Sequence, residues 1–117
     1  MSDSSTDINP TDQLILKMIK VIIERQVAEG LESHYEKAVG ELLSVMTSAP
    51  GYISGESLID AKLSNHYVVI AKWTTESAWS QWFHSDERKR LMTVLAPFLQ
   101  TDEKFTLLKQ LAYHRYS

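Results

Sequence analysis

The chain has 117 residues, a formal net charge of −3 at pH 7 and no cysteine. This length suits one domain that buries enough apolar surface to fold without metals or cross-links. The absence of cysteine excludes disulfides, thiolate nucleophiles and cysteine-bound zinc, and basic residues scattered among acids disfavour a nucleic-acid partner. No apolar run reaches the ~20 residues of a membrane helix, and the amino terminus lacks the pattern of a secretion signal. The sequence therefore predicts a cytoplasmic protein with neither a nucleic-acid nor a membrane partner.

Residues 1–13 are predicted to be a disordered N-terminal arm, and residues 14–117 a single domain. The segment from Met1 to Asp12 is rich in Ser, Thr, Asp, Asn and Pro, so it offers little apolar surface to offset the entropy lost on ordering. The first strand is predicted over Leu14 to Val27, where two unlike faces alternate. One of these faces carries Val21, Ile23, Arg25 and Val27. We interpret Glu24 and Arg25 as a charge pair near the strand end.

A long amphipathic helix is predicted over Leu31 to Ala49. Gly30 lies in the turn before it, and Ala49-Pro50-Gly51 ends it, because proline cannot continue a helix and glycine accepts a positive φ. The apolar positions recur at steps of three and four residues; they are Leu31, Tyr35, Val39, Leu42, Leu43 and Met46. His34 lies one residue off this stripe, which favours a half-exposed helical histidine.

The next two segments predict an antiparallel hairpin. Its first strand spans Tyr52 to Leu63 and contains Gly55, which indicates a bulge or the close approach of another chain. Its second strand, Tyr67 to Trp73, is a β-branched apolar run typical of the middle of a sheet. The turn between the two strands is Ser64-Asn65.

The segment after Trp73 is predicted to be helical and holds the other two tryptophans, Trp79 and Trp82. Hydroxyl groups at residues 74–77, with an acid in the first turn, predict a helix that begins at about Glu76. A further helix is predicted over Asp86 to Leu95. The last segment, Glu103 to Tyr113, fits both the helical and the strand period, and the architecture decides for a strand.

The predicted order of elements is βαββαβ, the α+β, ferredoxin-like arrangement with an antiparallel four-stranded sheet. Such a unit carries its helices on one face of the sheet, so the other face needs a cover. Here the other face carries Ile22, Val68 and Ile70, whose burial at about 25 cal/mol per Å² would stabilise the protein appreciably. A homodimer joined through its sheet faces is therefore predicted.

Several residues in these elements and in the turns between them match the pattern of a known protein family. They are Gly30, Tyr35, Pro50-Gly51-Tyr52, Leu58, Trp73, Trp82 and Ser85. From about Met18 to Leu111 the chain resembles the antibiotic biosynthesis monooxygenase (ABM) family of dimeric α+β barrels. The resemblance implies the fold and the dimer, whereas for activity it implies cofactor-free oxygenases of quinols and polyketide phenols, haem-degrading enzymes, or members with no assigned reaction.

The haem-degrading branch of this family is disfavoured by the residues at its characteristic positions. The branch has an asparagine on the first strand, a tryptophan at the end of the third strand and an iron-binding histidine in the last helical segment. This chain has Ile23, Trp73 and Met92 there, so only the tryptophan is kept. A methionine on a helix is more often a packing residue than an axial ligand. We expect no metal site and no cofactor.

The cofactor-independent branch needs an apolar pocket, aromatic walls and a proton acceptor, because its electron-rich substrate can reduce oxygen once it is deprotonated. The resemblance thus predicts a monooxygenase that oxidises a small aromatic or quinol-like substrate against Trp73. His84 is the first candidate for proton transfer and His34 the second, since histidine titrates near neutral pH; Tyr52 and Glu24 come next. The substrate-binding candidates are Tyr52, Tyr67, Trp82, Phe83 and Ile23.

Two other interpretations stay open at this point. Aromatic residues at strand ends and helix starts are core residues more often than pocket walls. The chain could therefore be a non-catalytic dimeric module that binds an aromatic or isoprenoid ligand. It could equally be a stress-related protein whose dimer matters and whose pocket is vestigial.

Overall fold

The computed structural model describes residues 9–111, which form a four-stranded sheet and four helices. The strands are β1 (Ile19–Gln26), β2 (Tyr52–Ile59), β3 (His66–Trp73) and β4 (Lys104–Lys109). The helices are α1 (Pro10–Lys17), α2 (Glu32–Met46), α3 (Glu76–Phe83) and α4 (Asp86–Leu95), followed by a 3-10 turn at Ala96–Phe98. After α1 the order is that of an α+β, ferredoxin-like fold, which confirms the predicted fold class.

The sheet has the strand order β2-β3-β1-β4, and every neighbouring pair is antiparallel. In the central pair, Val21 lies opposite Ala71 and Ile22 lies opposite Ile70. Val21 and Ala71 are completely buried, whereas Ile22 and Ile70 are only partly buried. Because successive strand residues point to opposite faces, one face of the sheet is covered by helices and the other is open.

The amino-terminal end of the described chain corrects the predicted start of the first strand. Leu14 lies in α1, and β1 begins only at Ile19. The Asn9 side chain accepts a hydrogen bond from the Asp12 amide at 2.8 Å, and Pro10 takes the first helical position; both features start helices. Residues 10–13, which were assigned to the arm, belong to this helix, and residues 1–8 of the predicted arm lie outside the described residues.

The core lies between the covered face of the sheet and the helices α2, α3 and α4. The side chains that α2 buries recur at the predicted spacing and are Tyr35, Val39, Leu42 and Met46. Helix α3 begins at Glu76 as predicted, because the Thr75 hydroxyl accepts a hydrogen bond from the Ala78 amide at 3.0 Å. Helix α4 has the predicted bounds, with Ser85 as its cap.

The edge strand β2 is less regular than the other strands. Its pairing with β3 shifts register between Tyr52 and Ser54, just before the bulge predicted at Gly55. The strand ends at Ile59 rather than Leu63, because the Asp60 carboxylate accepts hydrogen bonds from two following amides and turns the chain. An added Cβ at Gly55 would lie 2.8 Å from the Tyr52 hydroxyl and 3.0 Å from the Ile70 carbonyl oxygen, so the crowding seen there comes from this chain. The close approach of another chain stays a prediction.

The open face of the sheet presents an apolar centre flanked by charged residues. Ile22, Val68 and Ile70 form the centre and are partly buried. Lys20 and Lys72 are opposite each other at one end. At the other end His66 lies 3.3 Å from a carboxylate oxygen of Glu24. The helices α2, α3 and α4 pack on the other face, in agreement with the predicted one-sided arrangement, and α1 meets this face at its lysine end, where Ile15 lines a cavity with Lys20, Lys72 and Leu108.

Candidate functional site

Trp73 ends β3 on the covered face and is completely buried. Its ring meets those of Tyr52 and Trp79 edge-on, with centroid separations of 5.6 and 5.7 Å. Its indole Nε1 is the one buried side-chain polar atom of residues 9–111 that lacks a hydrogen-bond partner. A buried N–H without a partner is costly, so Trp73 holds an unused donor inside the packed core rather than on an open pocket wall.

The two candidate histidines lie on the outer surface of the helices. His84 ends α3 and is exposed; its Nδ1 lies 2.9 Å from the Ser80 carbonyl oxygen. His34 is exposed on α2, and its ring centroid is 5.9 Å from that of Phe98. The structure thus brings neither histidine into ring contact with Trp73, and their proposed roles in proton transfer stay predictions.

The other candidates are spread over the helical side of the molecule. Ile23 is buried in the core and Phe83 packs against Phe105, with ring centroids 5.1 Å apart. Trp82 lines a cavity of about 400 Å³ between the end of α2 and the start of α3 and α4. Tyr52 and Tyr67 both line a different space, beside β2. Of the predicted substrate-binding residues, only these two tyrosines share one groove.

This groove lies between α2 and the β2–β3 hairpin, and we call it the α2–β2 groove. It consists of two adjoining cavities of about 370 and 140 Å³, which share Leu43, Ser57 and Val69 on their walls. Its further apolar residues are Val39, Ile59 and Met46; Leu58 and Val68 also border it, although their positions on β2 and β3 belong to the open face of the sheet. Tyr35 and Tyr67 lie at one end, and Tyr52 closes the other. A concave, mostly apolar space with a few polar groups is the usual form of a small-molecule site.

The polar group at the first end of the groove is a hydrogen-bonded pair. The Tyr67 hydroxyl donates to Glu36 Oε2 at 2.6 Å, and the Tyr67 ring lies 4.5 Å from that of Tyr35. Burial, reinforced by the Glu36 carboxylate, raises the pKa of the Tyr67 phenol above its usual value. Tyr67 therefore stays a neutral donor at physiological pH, and Glu36 is the group that can accept a proton or a hydrogen bond.

Behind Tyr35 lies a buried ionic cluster. Arg25 Nη1 donates to the Tyr35 hydroxyl at 3.2 Å, and Arg25 Nε donates to Glu103 Oε2 at 2.8 Å. Arg88 donates to the other Glu103 oxygen at 2.5 Å and lies over the Phe83 ring. Arg25 lies near the end of β1 as predicted, but it is buried and its ion-pair partner is the distant Glu103. The sequence already indicated this burial. Arg25 follows Val21 and Ile23 at steps of two residues, which places it on the same, buried face of β1.

Tyr52 separates the groove from Trp73. Its ring touches Trp73 on one side and lines the smaller cavity on the other. The hydroxyl rests over Gly55, where any side chain larger than hydrogen would collide with it. The Tyr52 ring therefore lies between the Trp73 ring and the smaller cavity of the groove.

The fold and the groove define a class of protein: a ferredoxin-like α+β domain with an apolar groove between its sheet and its first long helix. The sequence model of the antibiotic biosynthesis monooxygenase family matches residues 18–94. The chain belongs to this family. No curated protein sequence matches it at a significant level.

Several solved structures share this fold. A conserved protein from Methanosarcina mazei Go1 superposes with a TM-score of 0.76 at 15% identity, covering 83% of this chain and 96% of its own. SnoaB, a cofactor-independent oxygenase from Streptomyces nogalater, has a TM-score of 0.70 at 18% identity, with 81% and 96% covered. At these identities the likeness establishes the fold alone.

The residues at the positions that the haem-degrading branch uses do not fit haem. Ile23 is buried in the core, and Met92 is partly buried and packs against that core. Among residues 9–111 no group of three or more His, Cys, Asp or Glu side chains is arranged to hold a metal ion. Within the same residues no helix is long and apolar enough to cross a membrane.

Proposed function

We propose that this protein is a cofactor-independent monooxygenase of the ABM type that oxidises a small aromatic or quinol-like substrate in the α2–β2 groove. The observation that carries the proposal is the groove itself, whose larger part of about 370 Å³ has aliphatic walls and two tyrosines at one end. Membership of the family and the shared fold with SnoaB support the reaction type.

The proposed chemistry makes modest demands on the protein. In an anthrone, for example, a methylene carbon becomes a carbonyl with one atom of O₂, and the second oxygen atom leaves as water, so the substrate supplies all the electrons. The protein has to bind the flat ring, exclude water and accept a proton from the carbon or hydroxyl that ionises. The aliphatic walls serve the first two tasks.

We also propose a homodimer joined through the open faces of the two sheets. The apolar centre of that face, formed by Ile22, Val68 and Ile70, lies outside the helix layer, and a second copy would remove it from water. The groove is on the opposite side of the sheet, so each subunit would keep its own site. A cytoplasmic location stays a prediction.

Oxygen uptake tests the proposed reaction. Purified protein would be incubated with a panel of quinols and anthrones, with size and folding checked in parallel. We expect consumption above buffer. The predicted roles of Trp73 and His84 are tested separately: Trp73→Ala and His84→Ala should each lower turnover at least tenfold without unfolding the protein, whereas the exposed Lys89→Ala should have no effect. Absence of uptake by folded protein across the panel would contradict the proposal.

The second candidate is a non-catalytic module that binds an aromatic or isoprenoid ligand in the same groove. The enclosure of Trp73 in the core favours it, because this side chain then serves packing and needs no substrate. It predicts saturable binding of such a ligand by calorimetry with no oxygen uptake. Turnover of any ligand that binds would exclude it.

A further inference from the structure

The Glu36–Tyr67 pair is the polar feature at the tyrosine end of the groove. Tyr67 is buried on β3, whereas Glu36 stands at an exposed position of α2 and reaches over the groove mouth. Their contact uses only one carboxylate oxygen, Oε2. Within residues 9–111 the other oxygen of Glu36 has no hydrogen-bond or ion-pair partner. The pair is therefore a fixed acceptor with one oxygen unused, at the edge of an apolar groove.

We infer that this pair binds the hydroxyl group of a planar aromatic ligand, a phenol or enol, whose ring lies in the larger cavity of the groove. The ligand hydroxyl would donate to the unused oxygen of Glu36, as Tyr67 does to the other. The ring would lie among Tyr35, Tyr67, Leu43 and Val69. The inference rests on the proposed function for the choice of an aromatic ligand, and it names the group that this ligand must carry.

The charged residues around the Glu36–Tyr67 pair favour a neutral ligand group that donates a hydrogen bond over a charged ligand group. An anionic ligand would meet the Glu36 carboxylate and the charge of Glu32, which also acts on Tyr67. A cationic ligand would meet the buried cluster behind Tyr35, in which Arg25 and Arg88 share the single carboxylate of Glu103 and leave one net positive charge. A hydroxyl group that donates a hydrogen bond carries no net charge and satisfies the carboxylate.

The pair is also distant from Trp73. Tyr67 and Trp73 are six positions apart on β3, which at ~3.3 Å per residue is roughly 20 Å. A ligand of two or three fused rings held at Glu36 cannot reach the indole. The recognition of a hydroxyl at Glu36 therefore stands apart from any role of Trp73, and the two can be tested separately.

The test compares two probes, 2-naphthol and 2-methoxynaphthalene. They differ only in that a methyl group replaces the hydroxyl hydrogen, which removes the hydrogen-bond donor. Binding is measured by isothermal titration calorimetry near neutral pH with the full-length protein and with Glu36→Gln, Tyr67→Phe and Glu32→Gln. Glu32→Gln is the matched control, since it removes an acid from the same helix that does not line the groove. Glu36 is exposed, so Glu36→Gln is expected to fold normally, as circular dichroism would verify.

We expect the parent protein and Glu32→Gln to bind 2-naphthol about tenfold more tightly than its methyl ether, equivalent to about 1.4 kcal/mol. Glu36→Gln should lose most of this preference and keep its affinity for the ether. Tyr67→Phe should retain the preference, because the carboxylate is still present.

The following results would overturn the inference. They are equal affinities of the parent for the two probes, a preference that persists in Glu36→Gln, and tighter binding of the cationic 2-naphthylmethylammonium than of 2-naphthol. Failure of the folded parent to bind either naphthalene would overturn it as well. If the hydroxyl preference is found but no quinol or anthrone consumes oxygen, the proposed reaction fails while this inference stands.

Discussion

The carboxylate of Glu103 and the guanidinium of Arg25 form a buried ion pair, with 2.8 Å between Oε2 and Nη2, although 78 residues separate them in the chain. Arg88 binds the other carboxylate oxygen. The cluster thus joins β1, α4 and the segment that leads into β4. It also fixes the hydroxyl of Tyr35, and with it one end of the α2–β2 groove.

Replacing Glu103 should destabilise the fold strongly. Glu103→Gln leaves two buried guanidinium groups without a counter-charge, and breaking a buried pair in this way costs about 3–5 kcal/mol. Urea unfolding measures the loss. The neighbouring Asp102 is exposed, so Asp102→Asn is the control and should change stability by no more than ~0.5 kcal/mol. Equal midpoints for the two variants would show that the cluster does not stabilise the fold.

Two glycines with the same backbone conformation should respond differently to alanine. Gly30 and Gly51 have φ values of +86° and +87°. A Cβ at Gly30 meets open space, whereas at Gly51 it would lie 2.4 Å from the Ala78 Cβ. We expect Gly30→Ala to cost about 1 kcal/mol through backbone strain and Gly51→Ala to cost roughly 1–3 kcal/mol more through overpacking.

Thermal or urea unfolding of both variants measures this difference. Gly40→Ala is the control, because Gly40 lies in α2 with open space around it, and alanine there should stabilise the helix by up to ~1 kcal/mol. If Gly51→Ala costs no more than Gly30→Ala, the contact between the turn before β2 and α3 is looser than the structure shows.

Tyr67 should make the fold less stable at alkaline pH. Its pKa is raised in the folded protein by burial and by Glu36, whereas in the unfolded chain a tyrosine loses its proton near pH 10. Above about pH 10 the folded state therefore binds more protons than the unfolded state, and the free energy of unfolding falls as pH rises. Below that pH both states keep the proton, and the Tyr67 contribution is constant.

The measurement is the slope of unfolding free energy between about pH 9 and 11, compared between the parent and Tyr67→Phe. Other titrating groups, Tyr35 and the lysines among them, are common to both proteins, so they cancel in the comparison. The parent should lose more stability over this range. Identical slopes would mean that the Tyr67 proton is not held more tightly in the folded state.

A charge at the centre of the open sheet face should disrupt the proposed dimer. Ile70→Asp places a carboxylate where a second copy would exclude water, which costs several kcal/mol against a total stability of about 5–15 kcal/mol. We expect aggregated or unfolded material by size-exclusion chromatography with light scattering. Val94→Asp, at an exposed site on α4, should leave the assembly unchanged. A folded, monodisperse monomer from Ile70→Asp would refute the interface.

Local signals in the sequence were sufficient for the architecture. The apolar spacing from Tyr35 to Met46 located α2, and the capping residues Thr75 and Ser85 located the starts of α3 and α4. The apolar spacing depends on side-chain directions within one or two helical turns, and capping depends on hydrogen bonds over the same short range. The error at Leu14 is of the same local kind. The predicted strand extended backwards into α1, the helix that begins at Pro10.

The candidate site was harder to predict, because it depends on contacts between distant segments. Glu36 and Tyr67 are 31 residues apart and meet only because α2 packs across β3. The histidines were selected for their titration range, yet both lie on the outer surface. Trp73 was placed correctly at the end of β3, but its enclosure by Tyr52 and Trp79 follows from packing that no local pattern encodes.

The burial of the tryptophans determines what the intrinsic fluorescence of this protein can report. Trp73, Trp79 and Trp82 are all at least 95% buried on the helical side of the sheet. Their emission should therefore be that of indoles shielded from water, and it should respond to opening of the helix layer or to movement of Tyr52. The emission should change little when a second copy binds to the open face of the sheet or leaves it. Exchange of subunits in the proposed dimer would have to be followed with a dye attached to the open face. The tryptophans would then report on the helical side of the sheet and the dye on the open face, at different emission wavelengths.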